Sequence, residues 1–473
     1  MPVADDEDKF FSGLNPGPER PPYVDADPFE GQDNVVALPG TQPVEVSEDA
    51  IALAFTREFG DSMRYDHNAG RWYQWSSTHW RQLEIPVALH YAREIGRRLG
   101  SGKKAICKAS VARGAEIFAQ ADPTHAVTSA HWDRDPWLLG TPSGTLNLKT
   151  GRLRTPRPSD GITKLAGCGP DSREASLWMR FLRDATGGDE DMITYLQRIA
   201  GYCLTGLTTE HALFFIYGPG GNGKSVYLNT LVHILADYAV SAPMDTFTSS
   251  KFSGHPTELA MLKGARLVTA SETEEGRSWA EARIKALTGG DPISARFMRQ
   301  DFFTYQPQFK LLFAGNHQPT LTAIDPAMRR RFNMLPFIFK PETPDPELEE
   351  KLREEAPRIL GWALKGCLDW QLHGLGRPGS VITATNEYFE EQDVFGQWTS
   401  ERCDVSPELW ELPAALFRDW SGFAKEHGEA PGTMVTLSGR LKKAGFRQRK
   451  TSGVRSYLGL RLRQQQSTDR ENH

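Results

Sequence analysis

The chain has 473 residues, 39% hydrophobic and 24% charged, as in a soluble globular protein of about three domains. Its five cysteines are scattered and form no C-x-x-C pair, which argues against a zinc ribbon or a disulfide framework. No apolar run approaches the ~20 residues of a spanning helix, the acidic start is no signal peptide, and so a cytoplasmic protein without a membrane partner is expected.

The net charge of −5 conceals a split: Met1 to Asp33 holds nine acids against two bases, while Met434 to Arg463 holds nine Lys/Arg and no acid. Residues 1–48 are rich in proline and acids and lack periodicity, so a disordered arm is expected; Asp25-Ala26-Asp27 reads as part of that solvated tail. Residues 49–170 read as an N-terminal α+β domain. A helix is expected from Asp49 to Phe59, and the aromatic runs Met63–Asp66 and Trp72–Trp75, around His67-Asn68-Ala69-Gly70, suggest a small antiparallel sheet. Core packing is the favoured role for these tryptophans over base stacking. Pro86 to Gln120 reads as two helices carrying Arg93, Arg97, Arg98, Lys103, Lys104, Lys108 and Arg113, either a DNA-facing patch or a solvated face. Short strands and turns follow between Trp137 and Leu153.

Residues 171–340 carry the chemistry. Two helices, Ser176–Ala185 and Asp191–Leu204, lead to the strand-like Phe214–Tyr217. The next eight residues, Gly218-Pro219-Gly220-Gly221-Asn222-Gly223-Lys224-Ser225, fit G-x-x-x-x-G-K-[ST] without substitution, and Val226 opens a helix. Glycines let backbone N–H groups surround phosphate oxygens, the helix start presents its positive end, and Lys224 reaches the β/γ-phosphates. Ser225 offers a hydroxyl to Mg²⁺. ATP and Mg²⁺ are therefore the expected ligands. The strand-like Arg266–Ser271 ends in Glu272-Thr273-Glu274, where an ATPase needs an acid at the end of a strand adjacent to the P-loop strand. Glu272 would share the Mg²⁺ site, and Glu272 or Glu274 would polarise the attacking water. Another strand-like run, Phe309–Gly315, ends in Asn316, an amide suited to holding water or γ-phosphate. Between these lies a hairpin with Arg296 and Arg299 near its tip. Arg329, Arg330 and Arg331 precede the apolar run from Phe332 to Phe339.

Residues 341–385 read as a helical brace, and 386–473 as a winged-helix-like domain: helices Asn386–Trp398, Leu412–His427 and Val435–Ala444, then strands Arg447–Lys450 and Val454–Leu462. Arg440, Lys442, Lys443, Arg447, Arg449 and Lys450 suit phosphate contacts.

The P-loop together with Ser271–Glu274, Lys285–Asp291 and Phe313–Pro319 resembles the superfamily three helicases, in particular the phage and plasmid primase–helicases that include those of poxviruses. The resemblance covers roughly Met63 to Phe339. It implies an α/β, AAA+-like P-loop ATPase core and a homo-hexameric ring with ATP between subunits. A channel hairpin would track single-stranded DNA at a fork, moving 3′ to 5′. It implies Asn316 as sensor and Arg331, or Arg330, as the finger reaching the neighbour's γ-phosphate. Many such relatives carry an N-terminal primase domain of several hundred residues. Here only the arm precedes residue 49, so primer synthesis is not expected of this polypeptide, and a separate primase or initiator would be a partner. The expected activity is ATP-driven unwinding or translocation on DNA during replication of a phage, plasmid or other mobile element. Alternatives are an initiator or loader that uses ATP only as an assembly switch and, more distantly, a protein remodeller.

Overall fold

The computed structural model describes residues 46–249, 256–271, 277–299, 301–321, 325–427, 429–451 and 454–463. The arm expected over residues 1–48 lies almost wholly outside them. Among the described residues no helix is long and apolar enough to cross a membrane.

At the centre is a five-stranded sheet. From edge to edge its strands are Phe332–Pro336, Leu213–Tyr217, Lys310–Gly315, Leu267–Ser271 and Ala239–Ser241, and every neighbouring pair is parallel. Parallel strands must be covered on both faces, and such strands read as continuous apolar runs. Leu213 to Ile216 fit this, each with no exposed surface. Alternate residues enter different cores. Phe214 and Ile216 join Trp178, Leu196, Tyr227 and Ile359 on one side, from helices Ser176–Thr186, Glu190–Leu204, Lys224–Leu235 and Ala356–His373. Leu213 and Phe215 join Ile284, Tyr388 and Phe389 on the other, from helices Glu281–Gly289 and Gly379–Gln392.

The sheet order corrects one expectation. The strand ending at Ser271 is not adjacent to the P-loop strand. Lys310–Gly315, which leads to Asn316, is inserted between them and pairs with both. Order in the chain does not give order in a parallel sheet, because each crossover skips across a face. The edge strand Ala239–Ser241 was also not anticipated, its three residues being too short for a periodic signal.

In the N-terminal α+β region three helices, Glu48–Phe59, Val87–Leu99 and Ala109–Ala121, pack on one another, and Phe55 and Glu116 of the first and third reach Trp72 in a four-stranded sheet. Trp72 and Trp80 are buried there, in keeping with packing. Of the cations on these helices, Arg93 and Arg97 face Glu94, and Arg98 pairs with Glu58. The second small sheet, Leu138–Thr141 with Gly144–Asn147 and Arg152–Arg154, goes elsewhere. Its Leu139 and Leu146 lie in the same core as Phe214. After the ATPase core, the helix Gly379–Gln392 still packs on Phe332–Pro336, so the expected single helix over 386–398 is broken at Asp393. The third core then gathers helices Val394–Arg402, Pro413–Glu426 and Met434–Lys443. They pack with an antiparallel sheet of Cys403–Glu411, Val454–Leu462 and Arg447–Thr451.

Two buried cations tie the back of the sheet to its surroundings. Helix Glu190–Leu204 ends with carbonyls that lack helical partners. Arg266, 1% exposed, donates to the Leu204 carbonyl and to that of Leu138, and its guanidinium lies 4.6 Å from the Tyr238 ring centroid. Lys310, 2% exposed, donates to the carbonyls of Thr205, Leu207 and Gln308. Burial pushes the Lys310 amine down to about 7 from 10.5. The sign follows. Below about pH 7 the lysine is charged in both folded and unfolded chains, so its contribution is constant. Between about 7 and 10.5 the unfolded chain binds more protons, so stability rises with pH. The melting temperature of wild type relative to Lys310→Met should therefore be flat below about pH 7 and climb from about pH 7 to 9. A difference that stays flat across that window would reject the assignment.

Candidate functional site

The P-loop leaves the sheet at Tyr217 and enters helix Lys224–Leu235. Its glycines divide by role. A Cβ on Gly218 would collide with the Phe337 carbonyl, and one on Gly223 would meet the Phe181 ring, so these two close the loop onto the protein. At Gly220 (φ 90°) and Gly221 (φ 66°) a Cβ would meet nothing within 4 Å, so there the main chain faces open space in conformations that side chains disfavour. Among the described residues no protein acceptor takes the N–H groups from Gly220 to Ser225. A bare, glycine-lined run of donors at a helix start is a cradle that fits phosphate oxygens.

Lys224 is buried, only 7% exposed. Its Nζ donates to the Gly218 carbonyl at 2.8 Å and to Asn222 Oδ1 at 2.9 Å. Burial, with Lys340 adding repulsion, lowers its pKa. An arriving phosphate would supply the counter-charge that this desolvated ammonium lacks. Asn222, 2% exposed, accepts from Lys224 and donates through Nδ2 to the Phe337 carbonyl. Its side chain thus braces the loop against the end of the edge strand, and its contribution to phosphate binding is left to its backbone. Ser225 is exposed at the helix start, and Val226 packs against the first core.

Gly315 lies opposite Tyr217 in the sheet, so Asn316 follows directly beside the residue that begins the P-loop; its side chain is exposed. Glu272 and Glu274 lie outside the described residues. The strand that precedes them stops at Ser271, opposite Ala314 and on the same edge of the sheet as Asn316. Ser225 and a carboxylate from that segment are the groups that would hold Mg²⁺.

The three arginines end a short helix, Pro326–Arg331, capped by Asp325, whose side chain accepts from the Met328 N–H. Burial alone would raise the Asp325 carboxyl, but Lys285 and the N–H groups of Met328 and Ala327 hold it low. Arg329 lies over the Phe389 ring, 5.0 Å from its centroid. Arg330 is exposed. Arg331 is half-buried, its Nε bonded to Thr288 Oγ1 and its Nη1 to the Ala327 carbonyl, both at 3.0 Å. Phe332 pairs with Leu213 and Pro336 with Tyr217. Arg331 and the P-loop of one chain therefore sit at opposite ends of the sheet, a strand length of roughly 17 Å apart at ~3.3 Å per residue.

The expected hairpin forms between Ile293–Ala295 and Phe303–Tyr305, with Arg296 and Arg299 exposed in its connection. Phe297, Met298 and Phe302 are exposed there too, and the Arg296 guanidinium lies 4.8 Å from the Phe302 centroid. Sequence reading singled out only the arginines. In the C-terminal module Lys442, Lys443, Arg447, Arg449 and Lys450 are exposed. Arg440 is not free: it pairs with Glu429 at 2.6 Å and lies 5.2 Å from the Trp420 centroid, bracing its own core.

Residues 52–187 match the family described as D5 N terminal like, and residues 216–331 match a family of unknown function, DUF5906. The chain is 28% identical over 291 residues to a protein of Acanthamoeba polyphaga mimivirus named "Putative helicase L207/L206", covering 56% of this chain and 30% of that one. It is 26% identical over 267 residues to "Putative helicase 022R" of Frog virus 3, covering 51% of this chain and 27% of that one. It thus spans less than a third of the length of either relative. Among solved structures, the apo NrS-1 C terminal region (305-718) shares the fold. Its TM-score is 0.51 at 12% identity, with 88% of this chain and all of that one covered.

The site's chemistry predicts a paired result. ATP with Mg²⁺ should raise the wild-type melting temperature, as any ligand of the native state does. Lys224→Ala should remove that rise while shifting the nucleotide-free melting temperature by only a few degrees, roughly what two modest hydrogen bonds allow. An undiminished ATP shift in the variant would exclude Lys224 from the phosphate site.

Proposed function

We propose that the chain, which belongs to the D5-type superfamily three helicases, is an ATP-driven DNA helicase or translocase serving replication of a phage, plasmid or other mobile element, and works as a ring of six copies. The observation that carries this reading is the sheet order. With Lys310–Gly315 between the P-loop strand and the Leu267–Ser271 strand, phosphate cradle, sensor amide and acid-bearing segment share one edge, as in an AAA+-like ATPase core.

In this reading the N–H groups of Gly220 to Ser225 and the Lys224 ammonium hold the β- and γ-phosphates. Bound Mg²⁺, held through Ser225 and Glu272, would neutralise charge on the phosphates. Glu272 or Glu274 orients the attacking water and takes its proton, and Asn316 positions that water against the γ-phosphate. Charge building on the γ-phosphate then calls for a cation on its far side. Arg331 is separated from its own P-loop by the length of the sheet, which favours supply from a neighbouring copy. The exposed hairpin with Arg296 and Arg299 is the candidate channel element. The C-terminal order of helix, strand, helix, helix, strand, strand supports a winged-helix reading, with Lys442, Lys443, Arg447, Arg449 and Lys450 for phosphate contacts.

Two measurements test this. Single-stranded DNA should stimulate multiple-turnover ATP hydrolysis, and a forked duplex should be unwound at a cost of ATP. Single-turnover hydrolysis with no unwinding would favour the loader alternative. Arg331→Ala should lower hydrolysis by about 10³–10⁵ with nucleotide binding kept, as for fingers elsewhere. Mixing Arg331→Ala with Lys224→Ala subunits should restore part of the activity, because some junctions then hold an intact Lys224 and an intact Arg331. No recovery in mixed rings would count against action across an interface.

A further inference from the structure

We propose that Thr288 is the residue that aims Arg331: its hydroxyl fixes the direction of the guanidinium, and His211 pins the helix that carries it to the chain entering the P-loop strand. This rests on the reading above of Arg331 as an arginine supplied to a neighbouring copy, and it names the positioning residues on which that supply depends.

Thr288 lies in the last turn of helix Glu281–Gly289 and is 4% exposed. Its hydroxyl has one proton and donates it to the Ile284 carbonyl at 2.7 Å, one turn back. Lone pairs remain on Oγ1, and Arg331 Nε donates to them at 3.0 Å. The hydroxyl is thus an acceptor of fixed direction, in a buried place where the bond is stronger than in water. Nε sits at the root of the guanidinium, so a bond there sets the plane of the whole fork. Arg331 Nη1 donates to the Ala327 carbonyl, and the Arg331 carbonyl accepts from Asn333 Nδ2 at 2.9 Å. Among the described residues, the Thr288 contact is the one hydrogen bond to the Arg331 side chain from outside its own helix. It therefore orients the side chain relative to the rest of the subunit.

The helix end is pinned in turn. The Thr288 carbonyl belongs to the last turn, where helical partners run out, and His211 Nδ1 lies 3.0 Å from it. A carbonyl only accepts, so Nδ1 carries the proton and donates. Gly290 follows the helix at φ 79°, and a Cβ there would lie 3.1 Å from Thr208 Oγ1. The turn 208–211 thus meets the helix end at two places. His211 is left-handed at φ 49°, uncommon for a residue with a Cβ, and its N–H closes the turn on the Thr208 carbonyl at 3.1 Å. Two residues later Leu213 begins the strand that leads to the P-loop. The approach to the phosphate cradle of one subunit and the arginine offered to the next subunit therefore meet at Thr288.

The test is steady-state ATP hydrolysis by the full chain with Mg²⁺ and single-stranded DNA. Thr288→Val keeps the shape and removes the acceptor. It should lower kcat by about 10- to 100-fold, the scale of a reacting group misplaced by about 1 Å, and leave KM for ATP within about twofold, as for an interaction made only in the transition state. Thr288→Ser, which keeps the hydroxyl, should stay within about threefold of wild type. His211→Gly tolerates the left-handed backbone, removes the ring and should lower kcat in the same direction. Arg331→Ala with Thr288→Val should be no slower than Arg331→Ala alone, because the hydroxyl then has nothing to aim. Mixing Thr288→Val with Lys224→Ala subunits should raise the rate above that of Thr288→Val alone, since some junctions then set a well-aimed arginine against an intact phosphate site. If Thr288→Val does not fold, Thr288→Ala drops the same acceptor and reads the same quantities. Full-rate hydrolysis by the Thr288 variant would overturn the aiming role, and by His211→Gly the pin. A raised KM with no recovery on mixing would mean that Thr288 serves its own subunit's site instead. If Arg331→Ala hydrolyses at the wild-type rate, the finger reading has failed and the inference with it. That outcome differs from an inactive Arg331→Ala beside a fully active Thr288→Val, which overturns the inference alone.

Discussion

Asn333 is a fully buried amide within the edge strand Phe332–Pro336. It accepts from the Tyr195 hydroxyl at 2.7 Å and donates to the carbonyls of Leu213 and Arg331. Such a group is costly unless satisfied, and here it is satisfied from three directions. It fixes the strand beside the P-loop strand and holds Arg331 at its start. At the far end Phe337 takes the bond from Asn222, and two residues later Phe339 enters the wall of a cleft shared with Gly187 and Ser380. One strand thereby sets the separation of three features: a half-buried arginine, a phosphate loop, and a pocket. The outer edge of this strand is protected as well, since helix Gly379–Gln392 lies along it and Thr385 Oγ1 accepts from the Met334 N–H.

The opposite end of the sheet is closed by hydrogen bonds from two buried basic side chains. Arg266 and Lys310 begin the two strands that lead to Ser271 and Asn316, and both spend their N–H groups on carbonyls at and beyond the end of helix Glu190–Leu204. Helix C-termini leave carbonyls without partners, so buried N–H donors there complete bonds that would otherwise be orphaned. Because Arg266 also reaches the Leu138 carbonyl, the small sheet Leu138–Arg154 is fastened to the ATPase core. The result is asymmetric. The strand starts are locked by apolar packing and buried N–H donors, and the strand ends, where chemistry is expected, open into loops.

What was legible in the sequence follows from how locally each feature is encoded. The P-loop needs eight consecutive residues, and the Asn316 strand is an apolar run buried on both faces, so both could be read directly. Sheet order could not, because Leu267–Ser271 and Leu213–Tyr217 are separated in space by a strand that comes later in the chain. The cleft was invisible for the same reason: its walls come from residues near 187, 338 and 380. Counting bases overrated Arg440, since its partner Glu429 lies just outside the acid-free stretch that drew attention to it. The burial of Lys224 is not legible either, because a glycine-rich loop reads as exposed, while bonds to Gly218 and Asn222 fold the lysine back onto the protein.

The three adjacent arginines show how the fold separates residues that sequence leaves equivalent. Arg329 is occupied by an aromatic face of its own chain, and Arg330 is exposed on a long side chain whose ordering would cost rotamer entropy. Arg331 spends two of its five N–H groups on Thr288 and Ala327, which leaves three in a planar fork held at a set angle. Thr288 is itself fixed by donating to Ile284, one turn back in a helix whose Lys285 pairs with the cap Asp325. A cation that must meet charge only as it develops works best when its orientation is settled beforehand, because no reorganisation is then needed at the moment of reaction. On that criterion Arg331 is the better candidate for the proposed finger. The same bracing links it through Asp325 to helix Glu281–Gly289, whose next neighbour in the chain is the hairpin that carries Arg296 and Arg299. Movement of that hairpin would therefore bear on the arginine.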